Sequence, residues 1–235
     1  MSDTEETIEA MLDAGEELPE EVRQALVEAD GVTERLIEIV EDEQLGRLDA
    51  RGEGWGPIHA ADILAARGDS EAIEPLIGVL EAAEIDDYLT DAVAEAIGEF
   101  GGEPFDKLLE RARGVEEDEI ELRARLLGAA VETGQKNEAL FDEIESLFEE
   151  DAEWGAMLFA DYGDEQALDL LNEALDDASI KSETRMFANV DLIEIADAIE
   201  QLGGTFSSKQ RRKVAYAKKR QRKAGAKLQR RLKRQ

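Results

Sequence analysis

The clearest indication of the fold is the stretch WGPIHAADILAARGDSEAIEPLIGVLEAA, from Trp55 to Ala83. Its Trp-Gly pair is followed by Pro57, a residue suited to the first turn of a helix. Gly68 then interrupts the apolar pattern, as a glycine does where a helix ends and the chain reverses. Beyond it, apolar residues recur three and four positions apart, as on one face of a helix: Ile73, Leu76, Ile77 and Leu80. The stretch therefore predicts two helices joined by a glycine turn.

The same pattern returns later as WGAMLFADYGDEQALDLLNEALDDA, from Trp154 to Ala178. Both copies have Trp-Gly at the start, Ala-Asp in the first helix, Gly-Asp at the turn and A-x-x-x-L-x-x-x-L-x-x-A in the second helix. Turn glycines recur about every 34 residues, a period typical of stacked helical hairpins. These glycines are Gly31, Gly68, Gly101, Gly134, Gly163 and Gly203.

This repeat resembles the HEAT-like repeat proteins, including the short PBS-lyase type. A turn glycine followed by an acid, and then an A-(I/L)-x-x-L-x-x-x-L helix, carry the resemblance across about residues 15–204. It implies an all-α fold, a right-handed α-solenoid of about six hairpins, and a role in protein–protein interaction. WGPIHAADIL and the helices after it are also similar to an uncharacterised bacterial helical-repeat family that often ends in a zinc-binding SEC-C motif. This chain has no cysteine, so a zinc role does not carry over.

Charge divides the chain into two parts. All 58 acidic residues and 13 of the 27 basic residues precede position 208, which gives that part a formal charge of −45. The remainder has 14 basic residues and no acidic one. We therefore predict a helical repeat domain over residues 1–204 and a basic C-terminal tail over 205–235.

The acidic part contains only three lysines, Lys107, Lys136 and Lys181. An acidic, lysine-poor surface resembles that of haloarchaeal proteins, in which molar salt screens the repulsion between charges to about 3 Å. The alternative is an ordinary acidic protein. The acidic start of the chain, MSDTEETIEA, is unlike a secretion signal, and no apolar run is long enough for a membrane helix. We therefore expect a cytoplasmic protein with no membrane contact.

The sequence offers no catalytic site. His59 is the only histidine, and with no cysteine present it cannot complete a zinc cage or a catalytic triad. The glycines of RGEGWGP, from Arg51 to Pro57, lack the G-x-G-x-x-G spacing of a dinucleotide site, so we predict a structural loop. We expect no enzymatic activity, cofactor or metal. Trp55 and Trp154 have two open interpretations: packing between repeats, or anchors for a protein partner.

The basic tail has a thin apolar stripe made of Val214, Ala217, Ala224, Leu228 and Leu232. Ser207 or Ser208 can cap a helix here, but so many positive charges predict fraying unless negative groups lie nearby. Three destinations are open: RNA such as ribosomal RNA, the acidic body of this or a neighbouring copy, and an anionic membrane, which the sparse stripe disfavours.

The repeat pattern and the basic tail together predict two alternative functions. The first is a non-enzymatic interaction scaffold that binds an unknown protein partner on the repeat surface, with the basic arm as second contact. The alternative is an RNA- or ribosome-associated factor anchored by the tail. The candidate nucleic-acid-binding residues are Lys209, Arg211, Arg212, Lys213, Tyr216, Lys218, Lys219, Arg220, Arg222, Lys223, Lys227, Arg230, Arg231, Lys233 and Arg234.

Overall fold

The computed structural model describes residues 3–83, 88–181 and 189–232. Within these ranges the secondary structure consists of thirteen α-helices and two short 3-10 turns, with no strand, which confirms the all-α prediction. Contacts divide the chain into two compact units, Met1–Leu140 and Phe141–Gln235.

The first unit is built from successive helices with short connections. They are α1 (Asp3–Asp13), α2 (Glu20–Glu28), α3 (Thr33–Glu41), α4 (Gly56–Arg67), α5 (Ile73–Ala82), α6 (Tyr88–Glu99), α7 (Phe105–Gly114) and α8 (Ile120–Glu132). Helices α2, α4, α6 and α8 pack one on the next, while α3, α5 and α7 each pack on the helix that follows. The predicted apolar face of α5 is buried in this core: Ile73, Leu76, Ile77 and Leu80.

Helix α9 (Glu138–Glu150) crosses the boundary, and the second unit continues with α10 (Ala152–Tyr162), α11 (Ala167–Asp177), α12 (Val190–Gln201) and α13 (Ser208–Leu232). Helix α12 packs against α10, α11 and α13. Phe159 lies fully buried between Phe141 and Phe148, at ring-centroid distances of 5.1 and 5.8 Å. These three aromatic rings pack together within the second unit.

The predicted glycine turns are confirmed. Each of the six glycines follows one helix and precedes the next, and each has a positive φ, between 64° and 77°. A side chain at these positions would strain the backbone, which is why glycine marks the turns in the sequence.

The Trp-Gly pairs mark places where two elements come unusually close. A methyl group on Gly155 would lie only 2.3 Å from the Cα atom of Phe148. At Gly56 it would lie 2.9 Å from a methyl group of Leu12. Glycine therefore lets the first turns of α10 and α4 approach an earlier helix. In the repeated pair, the glycine has a clear packing function.

Several helices end without a left-handed residue and take their final hydrogen bonds from a distant cation. The guanidinium of Arg67, at the end of α4, donates to three main-chain carbonyl oxygens at the end of α2, at 2.8–2.9 Å. In the same way, Arg125 of α8 donates to the carbonyl oxygens of Leu80 and Ala83 at the end of α5. A cation at these positions satisfies otherwise unpaired carbonyls and interacts favourably with the helix dipole.

Candidate nucleic-acid interface

The basic tail begins with a capping box. The main-chain N–H of Gln210 donates to Ser207 Oγ at 3.2 Å, and the N–H of Ser207 donates to Gln210 Oε1 at 2.8 Å. This reciprocal pair stabilises the first turn of a helix. Of the two serines proposed as caps, Ser207 has this role. The tail is helical through Leu232, where charge repulsion alone predicted fraying.

The inner side of α13 is packed on its own unit. Gln210, Val214 and Ala217 are buried, and Ala224, further along the same stripe, is half-buried. The amide of Gln210 donates to Asn172 Oδ1 in α11 at 3.2 Å. The apolar stripe predicted for the tail is therefore a packing surface over its first half. The side chains of Leu228 and Leu232 lie outside the described part of the chain.

Two cations at the edges of this inner side contact other helices of the same unit. Lys213 Nζ donates to the carbonyl oxygens of Leu175 and Asp176 at 2.6 and 2.9 Å, so it caps the end of α11 as Arg67 caps α2. Lys218 forms an ion pair with Asp197 of α12. Asp197 thus supplies a negative charge beside the basic helix, and the carbonyl oxygens at the end of α11 supply partial negative charges. Two predicted nucleic-acid-binding residues are thus engaged within the chain.

The outer side of α13 is a ribbon of exposed cations. Arg212, Lys219, Lys223 and Lys227 are exposed and make no ion pair or hydrogen bond with another described residue. Together with Tyr216 they follow one another three or four positions apart, so they share one side of the helix. At 1.5 Å per residue, this outer ribbon is about 22 Å long.

Tyr216 supplies an aromatic surface within the outer ribbon. Its ring is 48% exposed, and Arg220 donates to its hydroxyl at 3.2 Å. The guanidinium carbon of Arg220 lies 5.7 Å from the ring centroid. An exposed ring beside a guanidinium can stack with a nucleobase while the cation contacts phosphate.

The remaining predicted tail residues differ in their surroundings. Arg211 donates to the carbonyl oxygen of Phe206 at 3.1 Å, and Lys209 lies 3.9 Å from a carboxylate oxygen of Asp176. Arg222 is exposed, with no partner in the described ranges. The side chains of Arg230 and Arg231 lie outside the description, as do Lys233 and Arg234 entirely.

The acidic surface next to α13 is crowded with like charge. Partial burial raises the pKa of Glu194 in α12, and the neighbouring carboxylate of Asp197 raises it further. Burial also raises the pKa of Glu153 in α10, with Asp151 and Glu194 adding to the effect. This surface disfavours any additional negative charge, and Lys218 partly offsets it. The positive charge of α13 therefore contrasts with the negative charge of the surface beside it.

The two tryptophans lie at equivalent positions in separate units, and both are half-buried. The Trp55 ring forms stacked pairs with His59 and with Tyr88, at centroid distances of 6.2 and 6.4 Å. Tyr88 is 78% exposed, so this aromatic group reaches the surface. Trp154 stands in the first turn of α10, where its main-chain N–H donates to the capping carboxylate of Asp151.

The surroundings of His59 are those of a structural residue. It is only 7% exposed, and its Nε2 lies 2.8 Å from the carbonyl oxygen of Gly15. A carbonyl oxygen can only accept, so Nε2 carries the proton and donates it. The nearby RGEGWGP loop is also held by packing, since a methyl group on Gly52 would lie 2.0 Å from the carbonyl oxygen of Ala14.

Comparison of the chain with protein-family models, curated proteins and solved structures finds no match. In the described ranges, no group of three or more histidine or carboxylate side chains is placed to hold a metal ion. Nor is any helix there both long and apolar enough to span a bilayer.

Proposed function

We propose that this protein is a non-enzymatic helical-repeat scaffold that attaches to RNA through the outer ribbon of α13. One observation carries the proposal: the inner side of this basic helix is docked, while exposed cations on its outer side have no partner within the described residues. Docking fixes the helix, so an RNA strand meets cations that are already aligned. Less ordering entropy is then lost on binding.

The character of the outer ribbon favours RNA over an acidic protein surface. Its cations are spaced along a straight line, which suits the regular phosphates of a strand, and Tyr216 offers a ring for base stacking. The body, with its formal charge of −45, repels nucleic acid, so contact is directed to this helix.

For the repeat body we propose a cytoplasmic, right-handed α-solenoid of about six HEAT-like hairpins, with α13 as the second helix of the last one. The regular spacing of the turn glycines supports this architecture, as does the serial packing of α2, α4, α6 and α8. The cap that Lys213 places on α11 repeats the arrangement at α2 and α5. Helix α13 is accordingly both the end of the array and its attachment point.

The RNA proposal is tested by neutralising the outer ribbon. We expect Arg212→Gln, Lys219→Gln and Lys223→Gln together to weaken binding of a single-stranded RNA at least tenfold. The slope of log affinity against log salt should also fall by about 2, since each phosphate contact contributes about 0.7. Binding is measured by fluorescence anisotropy over a range of KCl concentrations. Deleting the whole tail is a poorer test, because it would also uncover α12.

The matched control removes three cations from exposed ion pairs of the body, with Arg35→Gln, Arg47→Gln and Lys107→Gln. Its net charge equals that of the ribbon variant, and it should bind RNA like the unaltered protein. Equal losses in both variants would contradict a localised interface. Polyglutamate binding as tightly as RNA would identify the ribbon as a site for acidic proteins instead.

A second candidate function is favoured by the Trp55 aromatic group. Tyr88 projects from the first unit with its ring stacked on Trp55, and exposed aromatic residues are common anchors of protein interfaces. We expect Tyr88→Ser to leave RNA binding unchanged. If the scaffold binds a protein here, the unaltered protein captures that partner from nuclease-treated native extract, and the Tyr88→Ser variant does not.

A further inference from the structure

A groove separates the start of α13 from the end of α12, beside the outer ribbon. Its volume is about 450 Å³, within the usual range of small-ligand sites. Phe206, Val214 and Ala215 give it an apolar part, and its cations are Arg211, Lys218, Lys219 and Arg222. Glu200, at the end of α12, is the carboxylate on its wall.

Three of the four cations of this groove share one side of the helix and form no ion pair with a described residue, while the fourth, Lys218, is paired with Asp197. Lys219 and Arg222 lie eight and eleven positions after Arg211, which places all three within about 80° around the helix axis. Neither Lys219 nor Arg222 has a partner in the described ranges. Arg211 donates to the carbonyl oxygen of Phe206, and its other guanidinium N–H groups have no acceptor among the residues that the structure describes.

Phe206 adds an aromatic ring to the groove, and a site that binds phosphate alone does not need such a ring. The residue is half-buried at the connection between α12 and α13 and lines the groove together with the cations. A flat aromatic ring beside guanidinium groups suits a nucleobase joined to phosphate. The carboxylate of Glu200 repels phosphate, so it favours the sugar or the base on the α12 side.

We propose that this groove holds one unstacked nucleotide of single-stranded RNA, with its base on the Phe206 ring and its phosphates on Arg211 and Arg222. This inference depends on the proposed RNA function and adds a preference for single strands. A base within a duplex is stacked and cannot enter a groove, whereas a strand can turn one base outward. The outer ribbon then holds the neighbouring phosphates.

The experiment compares three probes of equal length: single-stranded RNA, the same backbone without bases, and duplex RNA. Every protein in this comparison carries Tyr216→Leu, so that the ring of the outer ribbon cannot stack a base. We expect this protein to bind the single strand about tenfold more tightly than the abasic strand, as expected for one base–aromatic stack. Phe206→Leu keeps an apolar side chain in the groove but removes the ring. It should abolish this difference while leaving affinity for the abasic strand unchanged.

Phe100→Leu is the matched control, because Phe100 is also half-buried and lies in the first unit. It should retain the tenfold preference, and thermal melting verifies that both variants are folded. If the abasic strand binds as tightly as RNA, or if Phe206→Leu retains the preference, the nucleotide site is wrong while RNA attachment stands. If no RNA probe binds more tightly than polyglutamate, the proposed function fails, and this inference fails with it.

Discussion

Gly155 shows how a single residue sets the distance between two helices. Its Cα lies so close to the backbone of Phe148 that no β-carbon fits without a backbone shift. Gly78 in α5 is a contrast, because a methyl group there would meet no atom within 4 Å. Both glycines lie inside helices, but only Gly155 is required by its surroundings.

These two glycines give a prediction at the residue scale. Gly155→Ala should lower the free energy of unfolding by about 1–3 kcal/mol, because the new methyl group forces α9 and α10 apart. Gly78→Ala should raise it by about 1 kcal/mol, since alanine favours the helix and meets open space. Chemical denaturation monitored by circular dichroism measures both. Equal stability of the two variants would show that the close contact is not needed.

The sequence was sufficient to locate the turn glycines but not to explain Gly155. A glycine that ends a helix acts within a few residues of chain, so local pattern identifies it. The need for glycine at position 155 arises from the position of α9, which depends on tertiary packing. The repeated Trp-Gly pair is visible in the sequence, but the sequence does not show that packing requires the glycine of the pair rather than the tryptophan.

At the level of elements, α13 combines two chemically different sides on one helix. Sequence reasoning predicted its cap and its apolar stripe, because both follow from local spacing. It could not separate the docked cations from the exposed ones, since the partners of Lys213 and Lys218 lie in α11 and α12, far away in sequence. The sequence pattern therefore predicts one interface of fifteen residues, and the structure divides those that it describes by the direction they face.

Lys213 and Lys219 test this division, because Lys→Met removes the same charge from either side of α13. Lys213→Met should lower the free energy of unfolding by about 1–3 kcal/mol, since it leaves carbonyl groups at the end of α11 without a charged donor. Lys219→Met should change stability by less than about 0.5 kcal/mol but weaken RNA binding. Urea denaturation and anisotropy measure the two properties. Matching stability losses would contradict the distinction between the sides.

For the whole molecule, the dominant quantity is the charge of the body. Its 13 basic residues cannot pair with 58 acids, and many of those pairs that form are exposed, such as that between Lys107 and Glu74. Exposed pairs contribute little, whereas unscreened repulsion among so many carboxylates opposes compaction. The repeats predict the all-α fold class, and the composition predicts the charge repulsion within the body. Neither predicts how hairpins that are not neighbours are arranged.

We expect the melting temperature to rise steeply as KCl is raised from about 20 mM to about 2 M, because salt of that strength shortens the screening length from tens of ångströms to a few. Circular dichroism follows the helix signal during melting. Sucrose stabilises by exclusion from the surface without screening charge, so a series in sucrose at low salt is the control. A melting temperature that is constant across the KCl series would contradict a salt-adapted body.

The separation of docked from outward-facing side chains on α13 also bears on evolution. Substitutions on the outward side change what the helix attracts without disturbing the residues that hold it in place. Lineages could therefore strengthen, weaken or redirect attachment by a few point mutations while the architecture stays intact. Positions on the docked side do not have this freedom, so we expect them to vary more slowly.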